Sequence, residues 1–120
     1  MKKILVVEDN DKNMYLMNFL LTKKGYQVIK AETGEKGVEL AIKEKPDMIL
    51  MDILLPGIDG YEAIKRIRES ETDKKFIIVA VTSYAMTGDR ERILKVGSNG
   101  YIEKPINPET FLLEIEKFLK

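Results

Sequence analysis

The 120-residue sequence contains no cysteine and no histidine. Without cysteine there is no disulfide framework, no thiolate zinc site and no thiol nucleophile. Without histidine there is no imidazole base and no imidazole metal ligand. Ser-His-Asp hydrolysis, Cys-His catalysis and His-bound zinc are all excluded. An excess of charge of one sign is lacking too: 20 Lys and Arg stand against 20 Asp and Glu, with a pI near 6.4. No overall field then favours nucleic acid or an anionic membrane, and partners must be recognised by local sites. Long apolar runs are missing near the N-terminus, where Ile4-Leu5-Val6-Val7 gives way at once to Glu8 and Asp9. That is far short of a signal-peptide core or of the roughly 20 residues of a membrane span. A soluble, cytoplasmic protein is expected. The length suits one domain over residues 1–120, and 44% apolar residues suffice for a buried core.

What is present is an alternation. Ile4–Val7 is a short continuous apolar run rich in β-branched residues, the form of a strand buried on both faces of a parallel sheet. After the acidic stretch Glu8–Asp11, apolar residues at Met14, Met17, Leu20 and Leu21 fall at helical spacing over Asn13–Lys24, and Gly25 closes that helix. The unit then recurs. Val28-Ile29 leads to a helix over Glu35–Glu44, Met48–Met51 to Tyr61–Glu69, Phe76–Val81 to Asp89–Val96 closed by Gly97, and Tyr101-Ile102 to a helix from Pro108 to Leu119. Such alternation predicts an α/β fold, a (βα)5 doubly wound parallel sheet of the flavodoxin-like kind with strand order 2-1-3-4-5.

In these sheets the reactive crevice lies beyond the carboxyl ends of the strands, where the strand order reverses. Glu8 and Asp9 follow the first strand and Asp52 follows the third. Neighbouring strands run ~4.8 Å apart, so three carboxylates converge on one edge. Any one strand-end acid is ordinarily a solvated loop residue or a helix cap, but like charges this close must shift their pKa values or share a cation. An all-oxygen donor set points to a hard ion, with Mg²⁺ the natural choice. Thr82 ends the fourth strand and Lys104 the fifth, where a hydroxyl and an ammonium reach toward Asp52. Carboxylates, metal, hydroxyl and ammonium together suit acceptance of a phosphoryl group, which mainly needs charge neutralisation and in-line positioning. Asp59-Gly60 reads as structural, Asp59 capping the third helix and Gly60 relieving the turn, with a tight turn at Pro56-Gly57.

From Lys3 to Leu119 the chain resembles the receiver domains of two-component response regulators. The resemblance rests on Glu8-Asp9, on Asp52 followed by Pro56 and Asp59-Gly60, on Thr82, and on Tyr101 with Lys104-Pro105. It implies that Asp52 takes phosphate from a phosphohistidine on a sensor histidine kinase or histidine phosphotransfer protein. Asp9 and Asp52 would ligate Mg²⁺ with the Leu54 carbonyl, and Glu8 would act through water. Thr82, Ser83 and Lys104 would hold the phosphoryl oxygens. Tyr101 would be a switch paired with Thr82, altering the face of the fourth helix, fifth strand and fifth helix, and the Lys104-Pro105 peptide would be cis. Glu8 stands where Asp is more usual, Leu55 where Met is common and Ser83 where Ala is common. The stretch Val81–Met86 with Gly88-Asp89 is most similar to stand-alone relay receivers and to receivers attached to hybrid kinases.

The implied output is contact with a downstream protein, by a monomer or a phosphorylation-dependent dimer, because the sequence ends one residue after Leu119 with no DNA-binding or enzymatic output domain. A signalling module is expected, not an enzyme. An Asp-nucleophile phosphatase needs a second acid where Leu54 stands, and an FMN carrier would be repelled by the Glu8–Asp11 loop. A non-phosphorylated pseudo-receiver is the remaining alternative, disfavoured by the presence of Asp52, Thr82 and Lys104. In receivers the residues two beyond the acceptor Asp and two beyond the Thr flank the hydrolytic water. Here these are Leu54 and Tyr84, neither acid nor amide, so a long-lived phosphorylated state is expected.

Overall fold

Strands β1 (Lys3–Val7), β3 (Met48–Asp52) and β4 (Ile78–Thr82) are almost wholly buried. Such strands belong in the middle of a parallel sheet clad by helices on both faces. The computed structural model describes residues 2–72, 75–83 and 87–119. Completing it are α1 (Asp11–Lys24), β2 (Gln27–Ala31), α2 (Gly34–Glu44), α3 (Gly60–Glu69), α4 (Thr87–Val96), β5 (Gly100–Glu103) and α5 (Phe111–Glu116). The five strands pair in parallel in the order β2-β1-β3-β4-β5, which is the flavodoxin-like order predicted from the alternation.

Successive residues of a strand point to opposite faces, so each apolar run is divided between two cores. Leu5, Val7, Ile49, Met51, Ile78 and Ala80 pack with Ala41 of α2, Ile64 and Ile67 of α3, and Ile93 of α4. Ile4, Val6, Met48, Leu50, Val79 and Val81 pack on the other side with Met14, Met17 and Leu21 of α1 and with Phe111 and Ile115 of α5. Each fully buried Leu or Ile contributes about 1.5–3 kcal/mol. The chain leaves β1 toward β2 on one side and returns to β3 on the other. This opens a crevice between the carboxyl ends of β1 and β3.

Several boundaries differ from the sequence reading, each for a local reason. Helix α1 starts at Asp11 because the Asn10 side chain accepts from Asn13 N–H at 2.9 Å and caps it; Gly25, at φ 102°, ends it in the left-handed region. Strand β4 starts at Ile78 and not at Phe76. The Phe76 N–H donates to Glu71 and its carbonyl accepts from Arg68, both at 2.6 Å, so side chains take these two backbone groups. Helix α5 is shorter than the expected Pro108–Leu119 span. Thr110 N–H donates to the Asn107 carbonyl at one end, and Phe118 and Leu119 N–H donate three residues back at the other, so both flanks are tight turns.

Candidate functional site

The carboxyl ends of β1 and β3 bring Glu8, Asp9 and Asp52 together. One oxygen from each carboxylate lies within 4.8 Å of the others. Glu8 and Asp52 are buried, at 1% and 4% exposure, and Asp9 is open to solvent. Across them stands Lys104, after β5, its Nζ 2.8 Å from Glu8 Oε1 and 3.3 Å from Asp52 Oδ2. The remaining carboxylate oxygens meet backbone: Asn10 N–H donates to Glu8 Oε2 at 3.2 Å and Leu54 N–H to Asp52 Oδ1 at 3.3 Å. Glu8, Asp9, Asn10, Asn13, Asp52, Leu54, Ser83 and Lys104 line one open cleft of about 380 Å³.

Three carboxylates against one ammonium leave the cleft an excess of negative charge. Burial, reinforced by the negative charge of the Glu8 carboxylate, pushes Asp52 up to about 7, and Lys104 opposes this only in part. Burial pulls the Lys104 ammonium down, but Glu8 and Asp52 together outweigh it and hold its pKa above the usual value. Buried Glu8 Oε1 accepts no well-directed hydrogen bond and meets Lys104 only as an ion pair. An all-oxygen donor set with excess charge and an incompletely satisfied buried oxygen fits a hard divalent cation.

The backbone beneath Asp52 is equally constrained. A Cβ on Gly60 would fall 2.3 Å from the Asp52 carbonyl oxygen and 2.6 Å from Ile53 Cα, and Gly60 N–H donates to the Ile53 carbonyl at 2.8 Å. Gly60 is therefore required by close approach of α3 to the end of β3, a stronger demand than relief of a turn. Asp59 does cap α3, accepting from Glu62 N–H at 2.9 Å. The Pro56-Gly57 turn has Gly57 at φ 76°.

Thr82 is buried as the last residue of β4, its carbonyl accepting from Lys104 N–H at 2.9 Å, and Ser83 beside it is exposed in the cleft. The Lys104-Pro105 peptide is cis. Tyr101 does not line the cleft. It pairs in register with Ala80, packs half-buried on the core side that carries α3 and α4, and lies beneath Arg90 of α4, whose Cζ is 5.6 Å from the ring centroid. Leu54 stands at the cleft mouth, 55% exposed. Tyr84 lies outside the described residues. Asn10 and Asn13 were not singled out in the sequence as cleft residues, because their capping pattern is common to helices that line no site.

The family model for the response regulator receiver domain matches residues 4–116. The polar-differentiation response regulator DivK of Brucella ovis is 40% identical over 118 residues, covering 98% of this chain and 96% of the relative. The receiver domain of a Pseudomonas aeruginosa sensor histidine kinase, solved with magnesium coordinated in its active site cleft, is 36% identical with a TM-score of 0.89, over 98% of this chain and 97% of that one. The chemotaxis response regulator CheY4 of Vibrio cholerae is 29% identical with a TM-score of 0.92, over 98% of both chains.

Proposed function

The chain belongs to the response regulator receiver family, and from this premise we propose that it is a phosphoacceptor signalling domain. Asp52 takes a phosphoryl group from a phosphohistidine on a sensor histidine kinase or histidine phosphotransfer protein. The modified domain then signals to a downstream protein through the surface of α4, β5 and α5. The observation that carries this reading is the placement of Asp52, buried at the end of a central strand with two more carboxylates and the Lys104 ammonium at 3.3 Å.

In the transfer, an Asp52 carboxylate oxygen attacks phosphorus in line as the bond from phosphorus to the donor imidazole breaks. The bonding pair leaves with the imidazole nitrogen, which takes a proton from solvent, and Asp52 becomes an acyl phosphate. Lys104 follows the new charge from the carboxylates to a phosphoryl oxygen, and the Thr82 and Ser83 hydroxyls donate to the others. The residues suited to hold Mg²⁺ are Asp9, Asp52 and the Leu54 carbonyl, with Glu8, already engaged by Lys104, acting through water. When bound, the ion neutralises charge on the phosphoryl oxygens. Movement of Lys104 and Thr82 toward the phosphoryl group pulls on the ends of β5 and β4 and repositions Tyr101, which shares a register with Ala80. Leu54, apolar at the cleft mouth, orders no water in line with the Asp52 oxygen, so the acyl phosphate is long-lived.

Incubation with acetyl phosphate and Mg²⁺, followed by intact mass, tests the reading. The parent chain is expected to gain one phosphoryl group and Asp52→Asn none. An equal gain in Asp52→Asn contradicts the assignment. No gain in the parent, from this donor or from a phosphohistidine protein, makes the domain a non-phosphorylated interaction module.

A further inference from the structure

Helix α4 is weakly anchored: among its described side chains only Ile93 is fully buried, and Leu94 is 50% exposed. Its two arginines, two positions apart, reach opposite flanks, and each lies over a tyrosine of a different neighbouring element. Arg90 lies over Tyr101 of β5 at 5.6 Å and also pairs with Glu103 at 3.0 Å. Arg92 lies over Tyr61 of α3 at 3.8 Å from Cζ to ring centroid, well inside the range of cation–π attraction. Tyr61 is itself packed against the core. The residue before it is Gly60, pressed on the Asp52 carbonyl with no room for a methyl group. Backbone contact at Asp52, the first turn of α3, and the Tyr61–Arg92 stack therefore form one continuous chain of contacts ending on α4. This chain is separate from the one through Thr82, Lys104 and Tyr101.

We propose that Arg92 is a positioning residue: its stack on Tyr61 holds α4 against α3 in the arrangement where Lys104 pairs with Glu8 and Asp52, and so sets how far phosphorylation moves the α4 face. The inference rests on the phosphoacceptor reading. One exposed cation–π contact made in one arrangement and weakened in the other shifts their populations about two- to fivefold.

The test uses beryllofluoride with Mg²⁺ as a phosphoryl mimic and backbone NMR of the parent, Tyr61→Leu, Tyr61→Phe and Arg92→Gln. Amides 52–54 report mimic binding, and amides 88–96 and 100–103 report the response. Without mimic, Tyr61→Leu and Arg92→Gln are expected to place the α4 signals part of the way toward their mimic-bound positions, with α4 amide exchange about two- to fivefold faster. Tyr61→Phe, which keeps the ring face, is expected to match the parent, whereas Tyr61→Leu and Arg92→Gln, already shifted toward the bound arrangement, are expected to bind the mimic about two- to fivefold more tightly. The proposal is overturned if Tyr61→Leu and Arg92→Gln show the parent's signal positions and response, even with faster exchange, or if Tyr61→Phe behaves like Tyr61→Leu. If amides 52–54 of the parent ignore the mimic, the phosphoacceptor reading itself fails and takes this inference with it.

Discussion

Asp52 carries a conflict between burial and charge, and the conflict has consequences for pH. Its carboxyl is held up to about 7 by burial and by Glu8. A cation needs the ionised form, so Mg²⁺ binding displaces a proton below that pH. Mg²⁺ affinity is expected to fall about tenfold from pH 8 to pH 6, followed by calorimetry; a flat profile contradicts this. The same shift sets a stability trend in metal-free protein. Because the folded pKa exceeds the unfolded value of 3.8, the folded chain binds the extra proton between about pH 4 and pH 7, and stability falls as pH rises through that window. Asp52→Asn removes the buried charge while leaving Lys104 paired with Glu8. It is expected to raise Tm by several degrees at pH 8 in EDTA, with the gain vanishing toward pH 4. Asp9, the exposed acid, has no ammonium partner within the cluster, so Asp9→Ala is expected to weaken Mg²⁺ more than Glu8→Gln in the same titration. The strand-end places of Asp52 and Thr82, and the meeting of Glu8, Asp9, Asp52 and Lys104, were legible from residue type and position in the alternation. The pairing of Lys104 with Glu8 at 2.8 Å was not, because it depends on how far a long side chain bends back across the β1–β3 crevice.

Among the elements, α3 bears the tightest constraints. Gly60→Ala would drive a methyl group into the Asp52 carbonyl, and both partners are backbone. That variant is expected to lose stability and Mg²⁺ affinity together, whereas an exposed helical Gly→Ala change ordinarily stabilises. At its other end, Arg68 is a hub. Nε donates to the Gly97 carbonyl at 2.9 Å, Nη1 to Phe76 O at 2.6 Å and Glu71 at 2.5 Å, and Nη2 to Asn99 at 2.9 Å, tying α3 to the start of β4 and the α4–β5 turn. Arg68→Ala is expected to cost about 2–3 kcal/mol in urea unfolding with an unchanged m-value. The alternation of apolar runs located the helices and strands found among the described residues, and the caps at Asp59 and Gly25 stand where their residue types predict. The ends that moved, at Phe76 and around α5, are set by Arg68, Glu71 and Asn107. These are hydrogen-bond choices made in three dimensions that an apolar pattern does not encode.

On the scale of the whole molecule, order 2-1-3-4-5 was legible because continuous apolar strands alternating with amphipathic helices leave few topologies open. That order decides which strand ends meet, and therefore why acids 43 positions apart, Asp9 and Asp52, face one cleft. No helix among the described residues is long and apolar enough to cross a membrane. What the fold leaves to chemistry is the identity of the acceptor among three neighbouring carboxylates, and one measurement decides it. The protein is treated with acetyl phosphate and Mg²⁺ and then with borohydride, which reduces an acyl phosphate to the alcohol, and the chain is sequenced by tandem mass spectrometry. The expected result is homoserine at position 52 with Asp9 and Glu8 unchanged; reduction at position 8 or 9 instead, with Asp52 intact, would contradict the account.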